Sequence, residues 1–117
     1  MTGQLTANDV ALQLAQLARD LDRIIRDLAQ AEKDAVNARE DYSLAHAKAF
    51  LAADGAMDIR KHLAIEATHQ ARLDAELAEA KVRGLKRSVD SVKVRIDVGR
   101  SVGAVVRSEA ALAGGPS

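Results

Sequence analysis

Residues 52–58, Ala52-Ala53-Asp54-Gly55-Ala56-Met57-Asp58 (AADGAMD), lie near the midpoint of the chain, at the one place there where a long helical pattern stops and restarts. Before this stretch the apolar positions keep a single register, alternating by four and three from Val10 through Leu14, Leu17, Leu21, Ile24 and Leu28 to Ala52. After it the same alternation resumes at Met57 and runs through Ala64, Ala75, Val82, Leu85, Val89, Val92 and Ile96 to Ala110, with Lys61 as its charged exception. A repeat averaging 3.5 residues winds into a narrow, left-handed coiled-coil seam instead of the broad stripe of a globular helix. The reading is therefore two long helices separated by a turn.

The order of side-chain sizes decides how they pair. The first seam begins with large residues and ends with alanines, while the second begins with small residues and ends with large ones. Folding back at Gly55 matches alanine to alanine and Leu/Ile to Val/Leu/Ile. Leu28 then faces Leu85, Ile24 faces Val89 and Leu21 faces Val92, while Gly99 and Gly103 lie opposite Leu14 and Val10. The fold class expected is all-α, an antiparallel coiled-coil helical hairpin about 65–70 Å long at roughly 1.5 Å per residue. Its parts are a lead over 1–8, helix one over 9–53, a turn over 54–57, helix two over 58–110 and a flexible tail over 111–117. Thr6-Ala7-Asn8-Asp9 supplies a Thr-x-x-Asp capping box, Gly55 a left-handed stop, and Asp58 the N-cap of helix two.

Composition sets the functional limits. The 117 residues hold no cysteine, no Trp, one Phe and one Tyr, with 48% apolar and 29% charged residues. That excludes a disulfide framework, a thiolate nucleophile and a cysteine zinc site. No basic–apolar leader and no charge-free span of membrane length is present, so the chain is read as intracellular and without a membrane partner. The expected compartment is the cytoplasm. Net charge is zero, so any electrostatic attraction must be local.

Apolar residues also lie off the seams, among them Leu12, Ile25, Val36 and Leu44 on helix one and Leu63, Leu77, Val94, Val98, Val102 and Val105 on helix two. Two helices share one mutual face and cannot bury these, so self-association into a four-helix bundle or larger homo-oligomer is expected. Single exposed apolar residues are ordinary on any surface, which is the plainer reading of each one taken alone. At the turn, Phe50, Leu51, Met57 and Ile59 are the candidate contacts for a protein partner.

Charges flank the seams in rows. Asp20, Asp27, Asp34 and Asp41 repeat every seven residues on helix one, and Lys86, Lys93, Arg100 and Arg107 do so on helix two. Such positions set partner choice in coiled coils. Asp20 is placed to reach Arg95 and Asp34 to reach Lys81, whereas the Lys86–Arg107 row faces Ala11, Ala18 and Ile25 and has no partner in its own chain. It serves either a neighbouring protomer's acids or phosphates, since residues 81–107 carry eight basic side chains against two acids. Interleaved aromatics for stacking on bases are absent.

Catalytic chemistry finds no foothold. There is no phosphate-cradling loop, zinc-helix motif or calcium loop. His62 and His69 are two helical turns apart, too far to chelate one metal, and Asp54 with Asp58 lacks further ligands. Acid pairs such as Glu40-Asp41 lie on a solvated helix with nothing to raise a pKa. No cofactor, metal site or enzymatic activity is expected.

The run AKAFLAADGAMDIRKHLA, followed by AEAKVRGLKRSVDSVKVRIDVGRS and VRSEAAL, resembles small uncharacterised coiled-coil proteins encoded by phages of high-GC actinobacteria, over roughly residues 42–112. The resemblance implies an accessory or structural role in a phage and transfers no residue-level function. Secreted bacterial helical hairpins of similar length carry a Trp-x-Gly turn, from which Asp54-Gly55-Ala56 departs. The function expected is a non-enzymatic scaffold or adaptor. The alternative is a nucleic-acid-binding factor in phage DNA replication or recombination, acting through Lys86, Lys93, Arg100 and Arg107.

Overall fold

The structure is a computed structural model and describes residues 5–114. The chain is all-α, with no strand among the described residues. Helix α1 spans Ala7–Ala52, α2 Met57–Ala67 and α3 His69–Ala113.

Helix α1 starts through the capping box that the sequence announces. The Thr6 hydroxyl accepts from the Asp9 backbone N–H at 3.1 Å, and the Thr6 N–H donates to the Asp9 carboxylate at 3.1 Å. Two of the amides that a helix start leaves unbonded are thereby satisfied. Because Thr6 is the cap, the helix begins at Ala7 rather than near residue 9. Residues 1–4 of the expected lead and 115–117 of the expected tail lie outside the described residues. The described part of the tail continues α3 to Ala113, with the Gly114 N–H on the Ala110 carbonyl at 2.9 Å.

Between α1 and α2 the backbone turns at Gly55, whose φ of 113° lies in the left-handed region that a side chain disfavours. Asp58 is not the cap of the next helix. Ala56 holds the N-cap position with no side-chain hydrogen bond, and Asp58 sits in the first turn, where its charge complements the helix dipole.

The single helix expected over 58–110 is two helices. Thr68 separates α2 from α3, with φ −111° and ψ 13°. Its side chain is buried on the seam and its hydroxyl donates to the Ala64 carbonyl at 2.6 Å. A threonine hydroxyl bonding four residues back competes for the acceptor of the helical ladder, and such back-bonding bends helices. The break therefore follows from putting a threonine hydroxyl at a seam position where an apolar residue would leave the ladder undisturbed.

The chain divides into two compact units, one made of residues up to Arg26 with those from Arg87 onward, the other of Asp27–Lys86. In the first unit α1 and α3 pack antiparallel: a Cβ built on Gly99 meets the Leu14 side chain and one on Gly103 meets Val10, so rising numbers on one helix meet falling numbers on the other. In the second unit, the pairs Arg39–Glu79 and Phe50–Arg60 give the same antiparallel sense.

Burial follows the 3.5-residue register in both units. Val10, Ala31 and Ala35 of α1, Ala64 of α2, and Ala75 and Val92 of α3 are buried. Leu14, Leu17, Leu21, Ile24, Leu28, Leu85, Val89 and Ile96 are half-buried. No large side chain is fully enclosed among the described residues. A Leu or Ile wholly removed from water contributes roughly 1.5–3 kcal/mol, so these half-exposed side chains leave a good part of that stabilisation unrealised.

Candidate interaction surfaces

Around the turn, sequence reasoning singled out Phe50, Leu51, Met57 and Ile59 as an open contact patch. Leu51, Met57 and Ile59 are exposed, Leu51 by 75%. Phe50 is already engaged. The Arg60 guanidinium lies over its ring at 4.5 Å from the centroid, and Arg60 Nη2 donates to the Phe50 carbonyl oxygen at 3.1 Å. That carbonyl belongs to the last turn of α1, where acceptors lack helical partners and a cation is favoured by the dipole. Arg60 Nε is buried without a partner, and the stacking and the charged hydrogen bond offset its desolvation. Sequence reasoning overlooked Arg60. The signal was the chain's lone Phe just before the turn and an arginine one turn into the helix after it.

In the unit containing both chain ends, α1 and α3 approach closely because α3 lacks side chains at two seam positions. A Cβ on Gly99 would stand 2.7 Å from Leu14 Cδ2, and one on Gly103 would stand 3.2 Å from Val10 Cγ1. Beside this contact runs an open apolar groove of about 350 Å³, walled by Val10, Leu14, Leu17, Val94, Val98 and Val102, with Gln13 and Arg95 as its polar members. Val94, Val98, Val105 and Leu112 are more than half exposed, Leu112 by 83%. The off-seam stripe read from the sequence is thus solvent-facing on α3, apart from the more covered Val102.

The charged rows are also at the surface. Lys86, Lys93, Arg100 and Arg107 are exposed, and no ion pair joins them to another side chain among the described residues. On α1, Asp27, Asp34 and Asp41 are exposed and Asp20 is half-covered. The expected pairs Asp20–Arg95 and Asp34–Lys81 do not form. Asp20 takes Gln16 at 2.9 Å and Arg23 at 3.7 Å, and Asp34 takes Gln30 at 2.9 Å, all within α1. Partners three or four residues away on one helix are reached at little entropic cost, and they win over longer reaches between helices. Among the described residues, the ion pair that does cross between helices is Arg39–Glu79, whose Arg39 Nε donates to Glu79 Oε1 at 2.8 Å.

Among the described residues no group of three or more His, Cys, Asp or Glu is arranged to hold a metal ion, and no helix is long and apolar enough to cross a membrane. His46 packs edge-on against Tyr42, and His69 Nδ1 lies 3.3 Å from Arg72 Nη2.

No protein-family model, no curated protein and no solved structure matches the chain.

Proposed function

We propose that the chain forms an antiparallel coiled-coil hairpin that self-associates and acts as a non-enzymatic scaffold or adaptor for a protein partner. The observation that carries this reading is the exposed valine stripe of α3, in which Val94, Val98 and Val105 face solvent beside an apolar groove. Water-exposed apolar stripes at helical spacing are stabilised by a further helix laid against them, as in bundles and helix-in-groove complexes. The seam register supports the coiled-coil part of the proposal, since the same 3.5-residue repeat orders burial in each unit. A phage accessory or structural role in the host cytoplasm, with a place in the virion left open, belongs to the same proposal and rests on the resemblance of residues 42–112.

Light scattering on size-exclusion fractions of wild type and of a Val98→Glu, Val105→Glu variant tests it. The reading expects a wild-type oligomer and a variant shifted towards monomer with unchanged helicity. A wild-type chain that stays monomeric at high concentration contradicts it.

The exposed and unpaired Lys86, Lys93, Arg100 and Arg107 favour a second reading, sequence-independent binding to nucleic acid as a replication or recombination factor. Gel shifts on duplex DNA at low and high salt test that reading. It expects a shift that fades steeply with salt and vanishes when the four residues become Glu.

A further inference from the structure

The two charged rows have matching pitch and opposite sign. Asp27, Asp34 and Asp41 stand seven residues apart on α1 in the unit Asp27–Lys86, and Lys93, Arg100 and Arg107 stand seven apart on α3 in the other unit. All six side chains are exposed, and none takes part in an ion pair among the described residues; the one hydrogen bond that any of the carboxylates accepts comes from Gln30 on the same helix. Each acid precedes a seam residue (Leu28, Ala35, Tyr42) and each base follows one (Val92, Gly99, Val106), which are the flanking positions that choose partners in helical assemblies.

We infer that the partner of the basic row is a second copy of this chain, with Asp27, Asp34 and Asp41 of one molecule docked along Lys93, Arg100 and Arg107 of the next. Equal spacing brings all three pairs together once one is formed, so the rows act as a ruler for the register of association. Zero net charge in the whole chain fits the same arrangement, because every excess of one sign has its counterpart in an identical molecule. Beside the basic row the neighbours by helical register are Ala11 and Ala18, small enough to admit another helix close to the charges. A phosphate backbone would use the basic row and leave the acidic row without a role. A second copy uses both. The inference rests on the self-association proposed above and names what aligns it.

Charge exchange tests it. One variant carries Asp27→Lys, Asp34→Lys and Asp41→Lys; a second carries Lys93→Asp, Arg100→Asp and Arg107→Asp; a third carries all six changes. Association is read by sedimentation equilibrium at low salt, with helicity read by circular dichroism. Each single-row variant alone is expected to bind itself at least tenfold more weakly than wild type. An equimolar mixture of the two, and the six-change variant by itself, are expected to recover association. Wild-type association that neither single-row variant weakens overturns the inference while leaving the scaffold reading in place. So does a failure of both the mixture and the six-change variant to recover. A duplex-DNA shift lost in the second variant, with self-association unchanged, assigns the row to nucleic acid and overturns it as well. A monomeric wild type removes the scaffold reading and the inference together.

Discussion

At the scale of single residues, Gly84 and Gly99 belong to the same helix and are expected to respond oppositely to alanine. A Cβ on Gly84 meets nothing within 4 Å, whereas one on Gly99 stands 2.7 Å from Leu14. Gly84→Ala should therefore realise most of the roughly 1 kcal/mol by which alanine exceeds glycine in a helix, raising the melting temperature by several degrees. Gly99→Ala gains the same propensity but forces Leu14 off its position, and overpacking of that kind costs about 1–3 kcal/mol. Thermal melts should show Gly84→Ala above wild type and Gly99→Ala at or below it, with Leu14→Ala less damaging in the Gly99→Ala background than alone. Arg60 gives a second check. Its stacking on the Phe50 ring should make a double-mutant cycle of Arg60→Ala with Phe50→Leu show coupling of about 0.5–2 kcal/mol, the bond to the backbone carbonyl being kept by leucine. Additivity would mean the ring stacking contributes nothing.

At the scale of elements, the start of α1 and the break after α2 are governed by threonines in opposite roles. Thr6 caps, and Thr6→Ala should cost about 1 kcal/mol, read as a lower melting temperature. Thr68 interrupts, and Thr68→Ala should join α2 to α3, seen as higher hydrogen-exchange protection at amides 69–72; unchanged protection would mean the hydroxyl is not the cause of the break. These elements also show how far the sequence could be read. The capping box, the glycine turn and the seam register were legible because each is a local rule: a side chain bonds three residues away, a backbone angle excludes a Cβ, a spacing sets a face. The break at Thr68 was not, since a seam threonine reads as a small core residue until its hydroxyl is placed. Nor was Arg60 over Phe50, a contact formed only once the turn is closed. The expected Asp20–Arg95 and Asp34–Lys81 pairs failed because spacing ranks reach, while the structure lets nearer partners on the same helix compete.

At the scale of the whole molecule, the proposed assembly draws on two forces with different salt responses. Burial of the α3 valines depends little on ionic strength, whereas exposed charged rows are screened beyond a Debye length of about 8 Å at physiological salt. Association should therefore weaken, but persist, as salt rises, and the Val98→Glu, Val105→Glu variant should lose the salt-resistant part. Binding to DNA would instead fall with a slope set by the number of phosphates contacted. The most direct measurement is sedimentation equilibrium of the unmodified chain from micromolar to millimolar concentration. The account predicts a weight-average mass that climbs to at least twice the 12.5 kDa of one chain. A mass that holds at 12.5 kDa across the range would contradict it.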